Sequence, residues 1–162
     1  MKKIKYIIAS IIILSLLCCK KYEDGPCISF RKAKKKIATE WQVEYFSIDG
    51  SDDTKLYQNT CGCNFKFTEK FTTGYDPNVF DFTNCIGNIY DIRGSYDFAN
   101  NKKTIKISSG GFIGNPDSII HYIGPIGTGF WSEWSIKRFT KTELWIETSY
   151  NNYQYFIKFK SL

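Results

Sequence analysis

The chain has 162 residues, of which 43% are hydrophobic and 17% aromatic, and its formal net charge is +6. This length suffices for one domain with a modest core and is too short for two ordinary domains. The positive charge is concentrated before residue 41, because residues 41–162 hold 12 basic and 13 acidic side chains. A nucleic-acid-binding domain needs a basic face of its own, so we exclude nucleic acid as a partner.

The first nineteen residues have the pattern of an export signal. Three lysines among the first five residues precede an apolar run over residues 6–17, which ends at Cys18 and Cys19. A basic start, a short apolar segment and a small residue at the cleavage point are typical of secretory signals. The apolar run is too short to span a bilayer of roughly 30 Å comfortably as a helix. The sequence therefore predicts a signal peptide at residues 1–18.

The cysteine at the end of this run resembles the lipobox of bacterial lipoproteins. That motif has leucine three residues before the lipidated cysteine and a small residue immediately before it, which Leu16 and Cys18 supply if Cys19 is lipidated. Lipidation of Cys18 would instead place Ser15 and the bulky Leu17 there. The resemblance implies lipid attachment at Cys19 and an outer-membrane lipoprotein of the cell envelope, on its periplasmic or surface-exposed face. The alternative is a plain secretory signal or an uncleaved anchor.

Four further cysteines follow: Cys27, Cys61, Cys63 and Cys85. An even number of cysteines in an oxidising compartment indicates disulfides. Cys61 and Cys63 are too close in sequence to pair without strain, so we expect one to bridge to Cys85 and the other to Cys27. The alternative is a metal site built from the same cysteines, but no histidine lies near them. We predict neither a metal nor a cofactor.

A short tether and a helix connect the signal to the rest of the chain. Residues 19–28 are charged and contain a Gly-Pro pair, which is typical of a tether. Ser29 is a candidate N-cap for a helix that runs to about residue 38. Phe30, Ala33 and Ile37 lie on its apolar side, and Arg31 and four lysines surround the rest. We expect these lysines to be solvated; the alternative is that they lie against anionic lipid near the anchor.

From Trp41 onward, apolar and polar residues alternate, as they do in half-buried strands. Turns rich in Asn, Asp and Gly separate the alternating segments. An open meander would expose two edges and a hydrophobic face, so closure into a barrel or a tight sandwich is the stable arrangement. The predicted strands cover residues 41–48, 63–68, 79–85, 89–98, 104–108, 119–123, 130–139, 144–148 and 153–159.

Three patterns make residues 37–162 resemble the lipocalin-like lipoproteins of the Bacteroidota. These are Ala-Thr-Glu-Trp at 38–41 leading into Ile-Asp-Gly at 48–50, Gly-Ser-Tyr-Asp-Phe at 94–98, and the pair Trp-Ser-Ile at 134–136 with Leu-Trp-Ile at 144–146. The resemblance implies an all-β fold over residues 29–162. We expect an antiparallel up-and-down meander of about eight strands that closes into a small lipocalin-like barrel, led by a short N-terminal helix. The resemblance also implies that the barrel holds an apolar ligand.

Large aromatic residues fall on the inward positions of these strands, where they must first fill a core. The residues that we expect in the interior are Trp41, Phe65, Phe67, Tyr96 and Trp134. Side chains of this size favour a filled or shallow interior over a deep cavity. The Gly-rich segment 110–129 is either a lid or an irregular edge. Candidate residues at the ligand mouth or lid are Phe112, His121, Tyr122 and Phe130.

The sequence gives no support for an enzyme. His121 is the only histidine, and no nucleophile elbow, P-loop or histidine–metal motif occurs. We expect a lipid-anchored envelope lipoprotein whose barrel binds a small apolar or amphipathic ligand. The alternative is a non-enzymatic envelope interaction or scaffold protein with a filled barrel and no small-molecule ligand. The expected partners are the membrane, through the N-terminal lipid, and either a small apolar ligand or an envelope protein.

Overall fold

The computed structural model describes residues 22–23, 32–68, 78–85, 93–109, 125–126 and 131–162. These residues form two short helices, α1 (Ala33–Ile37) and α2 (Thr54–Thr60), and a 3-10 turn at Asn100–Lys102. The strands are β1 (Glu40–Ile48), β2 (Ser51–Asp52), β3 (Asn64–Thr68), β4 (Val79–Thr83), β5 (Arg93–Ala99), β6 (Thr104–Ser109), β7 (Ser132–Phe139), β8 (Glu143–Tyr150) and β9 (Tyr153–Ser161).

Eight of these strands close into a barrel, as the sequence predicts. The wall runs from β1 to β3 and then in chain order to β9, and β9 also pairs with β1. Along this closing seam, Trp41 is opposite Ser161 and Ile48 is opposite Tyr155. The two-residue strand β2 pairs with the last residues of β1 and is not a wall strand. The prediction of an antiparallel up-and-down barrel with a short leading helix is confirmed.

Two irregularities in the wall adjust which side chains face the core. In β7, Trp134 and Ile136 are buried, and the next buried residue is Phe139 rather than the one at position 138. The pairing with β8 shifts register between Ile136 and Arg138, which is the signature of a β-bulge. A second shift lies in the β1–β9 seam, just after Val43. Bulges increase strand bending and twist, which helps a small sheet to close.

The two helices lie at opposite ends of the barrel. Helix α1 precedes β1, and the Trp41 Nε1–H donates to the carbonyl oxygen of Ile37 at 2.9 Å. We call this the α1 end; the β5–β6 and β7–β8 turns open on it. Helix α2 follows β1, and the Tyr57 hydroxyl donates to the carbonyl oxygen of Cys63 at 2.7 Å. We call this the α2 end; the β8–β9 turn opens on it.

Helix α1 corrects one sequence-based expectation. It begins at Ala33, while Ser29, the predicted N-cap, lies outside the described residues. Lys36 is buried instead of solvated: its Nζ donates to the carbonyl oxygen of Phe139 at 3.4 Å and lies 5.2 Å from the centroid of that ring. The reason is that α1 closes the barrel end, so a lysine on its inner edge extends across Phe139.

One disulfide from the predicted set is present, between Cys63 and Cys85. It links the start of β3 to the residues just after β4. Cys61 is a buried free thiol, so the predicted bridge from this residue to Cys27 is not formed; Cys27 itself lies outside the described residues. Cys61 follows α2 directly and packs into the core, and this burial raises the pKa of its thiol to about 11.

Candidate functional site

The five aromatic residues predicted for the interior are all at most 2% exposed: Trp41, Phe65, Phe67, Tyr96 and Trp134. Their polar atoms bond within the protein. Trp134 Nε1–H donates to Ser132 Oγ at 2.9 Å, and this hydroxyl donates onward to the carbonyl oxygen of Ile107 at 3.0 Å. These side chains therefore build the core, and the indole N–H groups of Trp41 and Trp134 are already satisfied.

Aromatic rings in mutual contact line the described interior. The Phe65 ring lies 4.6 Å from Phe82 and 5.0 Å from Phe159, measured between centroids. Phe67 and Tyr96 meet edge-to-face at 5.1 Å. Such pairs contribute about 0.5–1.5 kcal/mol each beyond the burial of their area. A ligand would have to displace these contacts to enter this region. Binding elsewhere on the barrel therefore sacrifices less free energy of ring packing.

A groove of about 400 Å³ lies between β7 and β8 at the α2 end. Its large exposed apolar side chain is Trp131, which is 56% exposed. Two polar groups of its lining are fixed by the fold: Thr148 Oγ1 donates to the carbonyl oxygen of Glu133 at 2.7 Å, and Ser149 Oγ donates to Gln154 Oε1 at 2.6 Å. The described lining consists of Pro125, Trp131, Ser132, Glu133, Thr148, Ser149 and Tyr150.

This groove offers two kinds of contact side by side. The Trp131 indole is a broad apolar surface with a polar N–H, and aromatic residues of this kind are enriched where a protein contacts partners. The hydroxyls of Thr148 and Ser149 keep acceptor capacity, since each spends its proton on a protein carbonyl. A small amphipathic molecule matches this arrangement, with its apolar part on Trp131 and its polar part along β8.

A second groove, of about 490 Å³, lies on the outer wall across β3, β4 and β5. Its charged side chains are Lys66, Asp81 and Arg93, and Arg93 Nε lies 2.8 Å from Asp81 Oδ1. Beside it, Glu40 Oε1 accepts hydrogen bonds from Thr83 Oγ1 at 2.6 Å and Asn64 Nδ2 at 3.2 Å. These bonds, that of Thr83 first, hold the pKa of the Glu40 carboxyl below its usual range. This wall suits a polar ligand better than an apolar one.

The residues predicted for the mouth or lid lie outside the described residues, as do the predicted strand at 119–123 and the lipid-attachment residue Cys19. The mouth residues are Phe112, His121, Tyr122 and Phe130. Sequence reasoning missed Trp131 and Tyr150. A signal for Trp131 was present, because the alternation that turns Trp134 inward places position 131 outward, where a large aromatic residue is exposed to water.

Two features are absent from the described residues. No group of three or more His, Cys, Asp and Glu side chains within them is arranged to hold a metal ion. Likewise, neither of the helices in these ranges has the length and apolar character that crossing a bilayer requires.

Comparison with known proteins identifies no family for the chain: no protein-family model and no curated protein matches the sequence. Two solved structures are similar in outline. One is As-p18, an extracellular fatty acid binding protein, at 10% identity and a TM-score of 0.44, covering 82% of this chain and all of that one. The other is an uncharacterized protein from Bacteroides eggerthii DSM 20697, at 13% identity and a TM-score of 0.42, covering 76% of this chain and 98% of that one.

Proposed function

We propose that this protein is a lipid-anchored envelope lipoprotein whose barrel binds a small amphipathic ligand in the groove beside Trp131. The observation that carries the ligand proposal is the exposure of this tryptophan within a concave surface. Removing apolar area from water contributes about 25 cal/mol per Å², so a ligand that covers the indole gains a substantial part of its affinity there. Binding sites are typically concave and combine such apolar surface with a few placed polar groups.

The position of this groove fits the aromatic packing of the interior. Because rings such as Phe65 and Phe82 contact each other inside the barrel, the ligand lies at the end of the barrel instead of deep within it. The groove is smaller than many drug-sized sites, which favours a small ligand or one part of a longer one.

Attachment at Cys19 is supported by the sequence pattern alone. A basic start, a short apolar run, and Leu16 and Cys18 at the two preceding lipobox positions all precede this cysteine. A single acyl chain gives only marginal membrane binding, and several chains together anchor a protein stably. The multiple acyl chains of a lipoprotein would therefore retain the barrel at the membrane.

Ligand binding is tested by titrating the protein with a dansyl-labelled fatty acid and following energy transfer from tryptophan. We expect Trp131→Ala to weaken binding about tenfold, equivalent to about 1.4 kcal/mol. Tyr153→Ala is the matched control, because Tyr153 is 47% exposed and does not line the groove. Equal weakening in both variants, or no saturable binding by the unmodified protein, would contradict the ligand proposal.

The anchor is tested separately in a bacterial host. We expect Cys19→Ala to lack acyl groups in its intact mass and to leave the membrane fraction. Cys18→Ala, the neighbouring control, should remain acylated and membrane-bound. Membrane retention of acylated Cys19→Ala with loss of Cys18→Ala would move the attachment point to Cys18.

A second function is favoured by one observation, the aromatic filling of the described interior. A solid barrel is a suitable scaffold for displaying loops to an envelope protein, with no small molecule bound. Fold alone does not decide between these functions. The titration above distinguishes them, since a scaffold would bind the probe weakly and without dependence on Trp131.

A further inference from the structure

The N-terminal tether contacts the barrel at the α1 end. Tyr22 is 5% exposed, and its ring packs edge-to-face on Phe139 with 6.1 Å between centroids. Its neighbour Glu23 places Oε2 3.0 Å from the Nζ of Lys137, which lies two residues before Phe139 in β7. The ring of Phe139 is also the one that Lys36 of α1 covers. The tether and α1 therefore meet on the same residue.

This contact limits how far the barrel can lie from its anchor. Tyr22 is three residues after Cys19, and three extended residues span at most about 10 Å. Acyl chains on Cys19 would therefore be held within that distance of Tyr22. The α1 end, and no other part of the described barrel, would then be next to the membrane surface.

Six lysines lie at the α1 end, five of them exposed and Lys34 half-buried. They lie in the residue before α1, within α1, in the turn between β5 and β6, and in the turn between β7 and β8. In the described part of the chain, none of them has a carboxylate within 4 Å, whereas Lys106 and Lys137 on the wall both do. The six lysines are Lys32, Lys34, Lys35, Lys102, Lys103 and Lys141.

Three carboxylates near this end are already engaged. Glu23 pairs with Lys137, and Glu143 Oε2 lies 2.8 Å from the Nε of Arg138. Glu40 accepts hydrogen bonds from side chains of the wall. The α2 end has the opposite character, since Asp49, Asp52, Asp53 and a single lysine, Lys55, follow β1 there. The charge of the barrel is thus asymmetric along its axis.

We propose that the α1 end lies against the membrane that holds the anchor, with these six lysines contacting the anionic head groups of its lipids. The proposal rests on the proposed attachment at Cys19, and adds the orientation of the barrel and the lipid class. Basic groups near an anionic surface are attracted to it over about one Debye length, ~10 Å at 0.1 M salt. That length matches the reach of the tether. The Trp131 groove, at the α2 end, then opens away from the membrane.

The orientation is tested with the acylated full chain in lipid vesicles whose head groups carry a nitroxide quencher. A fluorophore is attached through Thr142→Cys in the β7–β8 turn, or through Leu56→Cys on α2 at the opposite end; both positions are exposed. Phosphatidylcholine vesicles with and without phosphatidylglycerol are compared. In vesicles that contain phosphatidylglycerol, we expect quenching at position 142 to be at least twofold stronger than at position 56. This difference should be absent without phosphatidylglycerol, and it should disappear at high salt.

The lysines are tested by the triple variant Lys32→Gln, Lys34→Gln, Lys35→Gln. It should lose most of the difference in quenching while remaining acylated. Lys55→Gln, Lys106→Gln, Lys158→Gln changes the net charge equally on the wall and at the α2 end, and should retain the difference; Lys158 lies opposite Tyr45 and Trp145 in the middle of β9. Thermal unfolding of each variant shows whether it is folded. The salt dependence of quenching in the unmodified chain tests the electrostatic attraction without any substitution.

The outcomes separate the two proposals. Acylated protein with equal quenching at both positions, or with quenching independent of phosphatidylglycerol and salt, overturns the orientation and leaves the anchor standing. An equal loss in both triple variants overturns the role of the α1-end lysines. Protein that is not acylated at all overturns the anchor and, with it, this orientation.

Discussion

Gly94 occupies a position in β5 where no side chain fits. A Cβ placed on it would collide with the Phe80 ring on β4 and the carbonyl oxygen of Ser108 on β6. Both neighbours belong to packed wall strands, so neither moves freely. We expect Gly94→Ala to lower the free energy of unfolding by about 1–3 kcal/mol, the usual cost of overpacking, as measured by urea denaturation. Ser95→Ala is the adjacent control, and an equally small effect in both variants would contradict the steric explanation.

Glu40 gives the stability of the barrel a dependence on acid pH. Hydrogen bonds from Thr83, first, and Asn64 keep the pKa of its carboxyl low in the folded state. A group with a lowered folded pKa stabilises the fold above its unfolded pKa and loses this contribution as the pH falls through its folded pKa.

We therefore expect the stability difference between the unmodified protein and Glu40→Gln to be largest above about pH 4.3, the usual glutamate pKa, and to shrink below it. Denaturant unfolding of both proteins across this range measures it. Because the carboxyl is largely solvated, the effect is small. A difference that grows toward acid pH would show that the charged form is not the stabilising one.

At the scale of elements, the Cys63–Cys85 disulfide fixes β3 and β4 together at the α2 end. It closes a loop with a sequence separation of 22 residues, for which the usual contribution to stability is about 2–4 kcal/mol. We expect the double variant Cys63→Ala, Cys85→Ala to lose that amount in urea denaturation. Cys61→Ala, which removes only the buried free thiol, should lose less. An unchanged denaturation midpoint after reduction by dithiothreitol would contradict this role.

The strands were predictable because the barrel separates a dry interior from water at every second residue. The turns were predictable for a related reason, since Asn and Asp tolerate positive φ, and Asp49, Asn100, Asn101 and Asn151 adopt it in the structure. Strand ends and the two bulges did not follow from the pattern, because they depend on which residue of the neighbouring strand lies opposite.

Helix α2 was not predicted, and its burial explains why. Only Tyr57 is buried along Thr54–Thr60, so no repeat of 3.6 residues appears in the sequence. The sequence also did not show which of Cys61 and Cys63 bonds to Cys85, because this depends on where Cys61 points after the helix. The candidate site was hardest to predict, since the groove joins residues 131–133 to 148–150 and exists only once β7 and β8 are paired.

At the scale of the whole molecule, pairing is uneven around the barrel. β9 is paired along its length on both sides, with β8 and with β1. Within the described residues, β1 and β3 pair only at Glu40–Trp41 and Phe65–Lys66, and β4 and β5 pair only over Val79–Asp81 and Arg93–Ser95. We expect backbone amides of β9 to exchange hydrogen slowest, and those of β3 and β4 fastest among the wall strands, because local opening requires breaking fewer bonds there. Hydrogen exchange followed by mass spectrometry measures this, and comparable protection in β4 and β9 would contradict it.

The seam between β1 and β9 also determines when the protein can fold. The strand that must lie beside Trp41 and Val43 is β9, the wall strand farthest from β1 in the chain. During synthesis β1 emerges first among the wall strands, and its partner edge does not exist until β9 has emerged as well. Pairing between such distant segments is slow, because a long loop must close before contacts are gained. A nascent chain of this kind therefore remains an open sheet until β9 is available.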